Sequence, residues 1–332
     1  MIEVRNLVKK YGTHLAVDHL DFKIESGRIY GFLGPNGAGK STTMNIMTGY
    51  LGATEGEVLI DGQDILKEPE EAKKHIGYLP EQPPLYVDMT VREYLEFVAE
   101  LKGIARAKRE EEITEIEKMV KIWEVENRLI KNLSKGYRQR VGLAQAILGF
   151  PEIIILDEPS VGLDPKQIIE IRDLIRKLAK KHTVILSSHI LAEVREVCDY
   201  ILIISKGKLV ASDTPENLEK MLGENNAIEI ETGASPSEVR LILKNVPGIE
   251  AIQTQINGEG MTWAKITEKK GEDARERVFM AFAAAKTPLL TLKTTGTTLE
   301  DVFMELTQSD TVPEAFISKT KWEEVGRDAG DL

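Results

Sequence analysis

Residues 34–42 read Gly34-Pro35-Asn36-Gly37-Ala38-Gly39-Lys40-Ser41-Thr42, which fits the pattern G-x-x-x-x-G-K-[ST] at every fixed position. The apolar run Ile29–Leu33 predicts a strand before this loop, and Ser41–Met47 predicts a helix after it. Glycines let the backbone turn successive N–H groups toward an anion, and the helix N-terminus adds further N–H groups. We therefore expect the loop to bind nucleotide phosphates, with Lys40 at the β- and γ-phosphates and the Ser41 hydroxyl on Mg²⁺. The alternative is a glycine-rich turn that binds nothing, in which the Lys-Ser pair has little structural use.

The acidic end of a predicted strand is the second candidate for chemistry. Four apolar residues, 153–156, are followed by Asp157, Glu158 and Pro159. A buried strand that ends in carboxylates places them at the edge where parallel sheets bind ligands. Asp157 can hold Mg²⁺ through water, and Glu158 can polarise an attacking water. Taken alone, Asp-Glu-Pro suits a helix N-cap equally well, but beside the phosphate loop the catalytic interpretation is favoured.

Residues 2–208 alternate short β-branched runs with longer amphipathic segments. The expected strands are Arg28–Leu33, Ile76–Leu79, Ile153–Asp157, Thr183–Ser187 and Tyr200–Ile204. The expected helices are Thr90–Lys102, Arg109–Trp123, Lys135–Gly149 and Pro165–Lys180. This alternation predicts an α/β domain around a mostly parallel sheet, with an antiparallel β flank at Ala16–Glu25 and a helical subdomain.

The composition changes near Thr214–Asn226, where we place a domain boundary. Beyond it the pattern predicts the order βαββαβ, closed by a last helix at Leu299–Thr307. That order is typical of a small α+β domain with a split βαβ fold. The predicted domains are therefore residues 1–222 and 227–307, followed by a loosely ordered tail at 308–332.

Composition narrows the classes of function. The chain has 332 residues, with 54 Asp and Glu against 43 Lys and Arg, and a formal net charge of −11. Binding a phosphate backbone needs a basic surface, so this balance argues against nucleic acid as the main partner. The single cysteine, Cys198, cannot form an intrachain disulfide and indicates a reducing compartment. No stretch approaches the roughly 18 consecutive apolar residues of a membrane helix, and the layout of a signal peptide is missing, so we expect a cytoplasmic protein.

With these motifs placed, the chain resembles the nucleotide-binding subunit of ATP-binding cassette (ABC) transporters over about residues 1–220. The resemblance matches Tyr11 to the aromatic residue that stacks on adenine. It matches Gln82 to the loop glutamine that ligates Mg²⁺ and senses the membrane partner. His189, after the strand Thr183–Ser187, matches the switch histidine that holds the γ-phosphate. The alternative for Tyr11 is a solvent-side core tyrosine. The alternative for His189 is a structural role, which is the usual one for a lone histidine.

The signature of the family is present in altered form. Residues 133–140, Leu-Ser-Lys-Gly-Tyr-Arg-Gln-Arg, stand where the usual signature begins Leu-Ser-Gly-Gly-Gln, and residues 160–164 match the loop that crosses the dimer interface. Ser134 and Gly136 are kept at the start of a predicted helix, where a hydroxyl and N–H groups can still reach a γ-phosphate. Similar signatures occur in cassettes of ABC-2-type exporters, and the helix Leu299–Thr307 resembles the closing helix of their C-terminal domains.

The resemblance implies two cassettes packed head to tail around two ATP molecules, with Mg²⁺ as a second cofactor. The implied ATP contacts are Tyr11, Gly34, Asn36, Gly37, Ala38, Gly39, Lys40, Ser41 and Thr42 of one chain and Ser134 and Gly136 of the other. The implied Mg²⁺ ligands are Ser41, Gln82 and Asp157, and the implied catalytic residues are Glu158, His189, Gln82 and Lys40.

One copy of each motif per chain predicts a homodimer. The second expected partner is an integral membrane permease, which places the chain on the inner face of the cell membrane. Two other classes stay open, namely a soluble ABC ATPase outside transport and a regulatory module that binds ATP without hydrolysing it.

Overall fold

A computed structural model describes residues 1–221, 227–258, 260–269, 272–296 and 298–308. The chain divides into two compact units with boundaries after Pro215 and after Glu305, so the second unit runs over Glu216–Glu305. The domain bounds expected from the sequence, 1–222 and 227–307, stay a prediction. The expected tail, 308–332, lies outside the described residues apart from Gln308, which closes the last helix.

The elements that the sequence predicts occur in the predicted order, and β1, β4, β5, β10, α2 and α7 are additional to them. The strands are β1 (Ile2–Tyr11), β2 (His14–Ile24), β3 (Ile29–Leu33), β4 (Glu55–Ile60), β5 (Gln63–Asp64), β6 (Ile76–Leu79), β7 (Ile153–Asp157), β8 (Thr183–Ser188), β9 (Tyr200–Ser205), β10 (Lys208–Asp213), β11 (Ala227–Thr232), β12 (Ile249–Ile256), β13 (Thr262–Glu268) and β14 (Leu289–Thr295). The helices are α1 (Lys40–Met47), α2 (Pro69–Lys74), α3 (Val91–Leu101), α4 (Arg106–Met119), α5 (Lys135–Ile147), α6 (Pro165–Leu178), α7 (Leu191–Val197), α8 (Pro215–Met221), α9 (Pro236–Leu243), α10 (Arg275–Ala284) and α11 (Leu299–Gln308).

The first unit is built on a six-stranded sheet with the order β10-β9-β3-β8-β7-β6. All neighbours in it pair in parallel except β10, which runs antiparallel to β9 at one edge. Every residue of β3, β7 and β8 is buried, in keeping with continuous apolar runs in a parallel sheet covered on both faces. Because these three strands are adjacent and parallel, the segments that follow them meet at the carboxyl end of the sheet. The predicted α/β fold with a mostly parallel sheet is confirmed.

A second, antiparallel sheet forms the predicted flank, with the order β2-β1-β4-β5. Its strands alternate buried and exposed positions over much of their length, and its buried side packs into the same core as the central sheet. Phe22 of β2 and Phe32 of β3 meet edge to face there, with ring centroids 5.4 Å apart. This contact joins the flank to the strand that carries the phosphate loop.

Helices α3, α4 and α5 form the helical part of the first unit. Thr90 and Glu93 make a reciprocal capping box at the start of α3. The helix predicted over Arg109–Trp123 instead spans Arg106–Met119, because the chain turns at Lys121, which takes a left-handed φ of +59°. Among the residues that the structure describes, no helix is both long and apolar enough to cross a membrane.

The second unit contains a four-stranded antiparallel sheet with the order β12-β13-β11-β14. Strands β11 and β12 flank β13, so the βαβ unit through α9 is split by a strand between its two members. Helices α9 and α10 cover one face of this sheet, where Phe282 of α10 packs in one buried core with Ile230 and Ile266 of the strands. The predicted βαββαβ order is therefore present in this unit.

Candidate active site

The phosphate loop, residues 34–39, bridges β3 and α1 in a shape that depends on its glycines. Gly39 has a left-handed φ of +105°, and a Cβ there would lie 2.6 Å from the Ala16 carbonyl oxygen. A Cβ on Gly34 would lie 2.3 Å from the Ile204 carbonyl oxygen. Both positions therefore exclude larger residues, and the loop is held tightly between β2 and β9.

Lys40, the first residue of α1, turns its side chain back over the loop. Its ammonium donates to the carbonyl oxygens of Gly34 at 2.7 Å and of Pro35 at 3.2 Å, and the residue is only 6% exposed. This burial lowers the pKa of Lys40, while the nearby carboxylates of Glu158 and Asp157 act in the opposite direction. The Lys40 ammonium thus lies over the phosphate loop. Phosphate oxygens bound there would be stronger acceptors for it than the carbonyl oxygens are.

A chain of hydrogen bonds joins the phosphate loop to the acidic strand end. The Ser41 hydroxyl donates to Oδ1 of Asp157 at 3.3 Å, and the hydroxyl of Ser187 on β8 donates to the same oxygen at 2.5 Å. The Ser187 oxygen in turn accepts from the backbone N–H of Glu158 at 2.9 Å. Asp157 and Glu158 are both buried. The hydrogen bonds of this network therefore replace those that water would make with these groups.

Glu158 and His189 form a pair at the end of the adjacent strands β7 and β8. Oε2 of Glu158 lies 2.9 Å from Nδ1 of His189, whose side chain is half exposed. Because an ionised carboxylate only accepts, Nδ1 carries the proton of this bond. Glu158 itself takes a left-handed φ of +49°, a backbone conformation that is costly for a non-glycine residue and is often found at functional sites.

Two cavities meet at the carboxyl end of the central sheet. The first, of about 390 Å³, is lined by Tyr11, His14, Ala16, Asn36, Gly37, Gly39, Lys40, Ser41, Thr42, Glu81, Glu158, Val161 and His189. The second, of about 610 Å³, contains Ser41 and Asp157 together with Gln82. The structure therefore brings together most residues that the sequence singles out, and Ser41 belongs to both cavities.

Ser134 and Gly136 do not line either of these two cavities. Ser134 is the N-cap of α5 and accepts from the backbone N–H of Tyr137 at 3.4 Å. Gly136 is buried, and a Cβ there would lie 2.5 Å from the side chain of Gln167. The Lys135 ammonium lies against Gly162, at 2.1 Å from where a Cβ of that glycine would stand. The altered signature thus packs against the loop after Glu158 instead of against the phosphate loop of its own chain.

Several residues of the site were not anticipated from the sequence. His14 lines the first cavity, although its isolated position gave no reason to assign it a role. Ser187 links Asp157 to Glu158, and its only sequence signal is that it directly follows the apolar residues 184–186 of β8. Glu193, on α7, receives hydrogen bonds from Ser160 and Ser188, and no motif contains it.

Comparison with known proteins identifies the family. The model of the family described as ABC transporter matches residues 17–161. The chain is 36% identical over 310 residues to the uncharacterized ABC transporter ATP-binding protein YhcH of Bacillus subtilis (strain 168), a match that covers 92% of this chain and 96% of that protein. It is 40% identical over 222 residues to the bacitracin transport ATP-binding protein BcrA of Bacillus licheniformis, covering 66% of this chain and 72% of that protein.

Solved structures of ATP-binding cassettes are similar to this chain. One of them is a dimeric ATP-binding cassette in a post-hydrolysis state bound to ADP and Pi. It superposes with a TM-score of 0.60 at 28% sequence identity, and the match covers 64% of this chain and 98% of that chain. The match to YhcH covers nearly the full length of both proteins, and the phosphate loop with its acidic partners indicates the same family. The chain belongs to the ABC transporter family, as an ATP-binding subunit with ATPase activity.

Proposed function

We propose that two copies of the chain pack head to tail around two ATP molecules and drive a separate membrane permease of the ABC-2 exporter type. The observation that carries this proposal is that Lys40, Asp157, Glu158 and His189 lie together at the carboxyl ends of β3, β7 and β8, where the two cavities meet. A binding module that does not hydrolyse ATP has no need for a carboxylate and an imidazole in contact at that place.

The oxygen atoms near Ser41 fit a magnesium ion. The Ser41 hydroxyl and Oδ1 of Asp157 lie 3.3 Å apart, and Gln82 lines the same cavity. Hydroxyl, carboxylate and amide oxygens are the hard ligands that Mg²⁺ prefers, usually with several waters kept. When bound, the ion neutralises charge on the β- and γ-phosphates. Ser41, Asp157 and Gln82 would hold it.

Glu158 is the proposed general base for the attacking water. His189 contacts one oxygen of this carboxylate, and the carboxylate is the group that would accept the proton of the water. The Glu158 backbone is held by Ser187, so the carboxylate is oriented before ATP arrives. His189 then sits beside the base and contacts the γ-phosphate, while Tyr11, 49% exposed at the cavity rim, stacks on adenine.

The second chain supplies Ser134 and Gly136 to each site. Both residues stand at the start of α5, a helix of 13 residues whose first N–H groups and positive dipole end suit a γ-phosphate. Because they line neither cavity of their own chain, a second copy placed head to tail would complete the site. The similar dimeric cassette with ADP and Pi supports this arrangement. Loss of the γ-phosphate then removes these contacts and opens the dimer.

The permease is expected to dock in the cleft beside Gln82. This 610 Å³ cavity is lined by Tyr50, Tyr78, Pro80, Pro84 and other residues next to the Mg²⁺ ligands, so a segment seated there would sense the state of ATP. The relative BcrA is named for bacitracin transport, which supports a transporter role. Docking on a permease places the chain in the cytoplasm, on the inner face of the membrane, with no role for nucleic acid.

A phosphate-release assay on the full chain tests this function. We expect Mg²⁺-dependent hydrolysis that chelation abolishes. Lys40→Ala should lose ATP affinity, whereas Lys10→Ala, at an exposed lysine paired with Glu55, should behave as wild type. Unchanged ATP binding by Lys40→Ala contradicts the role of the loop. Purification of the tagged chain from its own cells should recover a polytopic membrane protein, and recovery of none would favour a soluble ATPase.

A further inference from the structure

A buried carboxylate outside every motif connects two loops of the active site. Glu193 of α7 is 7% exposed, and its Oε2 accepts hydrogen bonds from the hydroxyls of Ser160 at 2.6 Å and Ser188 at 3.3 Å. Ser160 lies two residues after Glu158, and Ser188 immediately precedes His189. One oxygen atom of Glu193 therefore links the segment after Glu158 to the segment that leads into His189.

Further contacts surround this link. Nη2 of Arg172 on α6 lies 3.6 Å from Oε1 of Glu193, so the carboxylate has a cationic partner on its other oxygen. The Ser188 oxygen also accepts from the backbone N–H of Ile190 at 3.0 Å, which holds the turn that carries His189. Ser160, Ser188 and Glu193 are all buried, and hydrogen bonds to an ionised group are stronger than neutral ones.

We propose that Glu193 is a positioning residue that ties the Ser160 loop to the His189 loop and sets the geometry of the Glu158–His189 pair. The inference rests on the proposed head-to-tail dimer, whose interface residues 160–164 are expected to cross by their match to the family motif. Because both hydroxyls share one acceptor oxygen, a displacement of the Ser160 loop either breaks its bond or carries the His189 loop with it. Glu193 thus makes the catalytic pair sensitive to whether the second copy is in place.

The experiment compares Glu193→Ala and Glu193→Gln with Glu196→Ala in the full chain. Glu196 lies on the same helix and also pairs with Arg172, but it is exposed and touches neither loop, so it is a matched control. We expect Glu193→Ala to lower kcat for ATP by about tenfold or more, because misplaced reacting groups cost rate steeply. KM for ATP should stay within about twofold, because the phosphate loop is untouched.

The conservative variant separates positioning from simple loss of stability. Glu193→Gln keeps an amide oxygen that can accept from both hydroxyls, so we expect it to recover most of kcat, and Glu196→Ala should match wild type. Adding Ser160→Ala to Glu193→Ala should cause little further loss, because both changes break the same link. If Glu193→Ala does not fold, the inference is tested with Glu193→Gln and with the two single variants Ser160→Ala and Ser188→Ala. Each serine variant should lower kcat.

Specific outcomes overturn the inference. Wild-type kcat in Glu193→Ala, equal losses in Glu193→Ala and Glu196→Ala, or full additivity with Ser160→Ala each contradict it. If Glu193→Ala does not fold, wild-type kcat in both serine variants contradicts it as well. Failure of the proposed function has another signature, because the wild-type chain would then release no phosphate and Glu158→Gln would change nothing.

Discussion

Replacing Ser187 by alanine removes the hydroxyl that joins Asp157 to the backbone of Glu158. Ser187 is fully buried, donates to Asp157 at 2.5 Å and accepts from the Glu158 N–H at 2.9 Å. A hydrogen bond to a charged group contributes about 1.5–3 kcal/mol, and an orphaned buried N–H costs about 1–3 kcal/mol. We therefore expect Ser187→Ala to lower the free energy of unfolding by about 3 kcal/mol.

The same change should slow hydrolysis more than it weakens ATP binding. Glu158 holds a left-handed φ of +49°, which costs about 1–2 kcal/mol for a residue with a Cβ. Without the Ser187 acceptor the backbone of Glu158 can relax, and its carboxylate leaves the position from which it activates water. We expect kcat to fall by about 10- to 100-fold. Affinity for ATP should change little, because Lys40 and the loop glycines keep their contacts.

Phosphate release at saturating ATP and urea unfolding measure the two effects on one preparation. Thr183→Val is the matched control, because Thr183 is a buried hydroxyl residue at the other end of β8 that accepts from the Gly27 N–H at 3.0 Å. It should lose about 1 kcal/mol of stability and keep wild-type kcat. Wild-type kcat in Ser187→Ala, or an equal loss of kcat in Thr183→Val, would refute the reasoning.

Two further predictions concern a buried carboxylate and the adenine contact. Glu117 is 1% exposed, and its burial raises its pKa to about 6. The native state therefore binds more protons than the unfolded chain between about pH 4.3 and 6. The free energy of unfolding falls as pH rises through that window. Glu117→Gln should therefore raise the free energy of unfolding by about 1–2 kcal/mol at pH 7.5 and leave it about the same near pH 4.5. The amide oxygen of Gln can still accept the hydrogen bond that Nη1 of Arg92 donates to Glu117 at 2.9 Å, and Arg92 keeps its ion pair with Glu110. Lower stability of the variant at both pH values would contradict this. Tyr11→Ala should weaken binding of a fluorescent ATP analogue by about 3- to 10-fold while Tyr11→Phe keeps the affinity, and equal affinities of the two variants would remove the stacking role.

The parts predicted from the sequence are those that depend on local pattern. The phosphate loop follows from glycine spacing between a strand and a helix, and β7 with Asp157 and Glu158 follows from an apolar run that ends in acids. The fold class and the βαββαβ order were likewise readable from periodicity. In each case the residues that decide the structure are neighbours in the chain.

The missed parts depend on contacts between distant segments. The carboxylate of Glu193 meets the hydroxyl of Ser160 across 33 positions of sequence, and Ser187 meets Asp157 across 30. No periodicity marks such pairs, because each forms only when parallel strands bring their ends to one edge. The end of α4 was missed for another reason, since the left-handed turn at Lys121 involves a residue type that does not usually signal it.

The role of Glu158 is tested most directly by Glu158→Gln, which keeps the shape of the side chain and removes its ability to take a proton. With ATP and Mg²⁺, this variant should elute as a dimer in size exclusion, and its phosphate release should fall by about 10²- to 10⁴-fold. The wild-type chain under the same conditions should hydrolyse ATP and return to monomer. A Glu158→Gln chain that turns over ATP at the wild-type rate, or that stays monomeric with ATP bound, would contradict the assignment of the base and the ATP-held dimer.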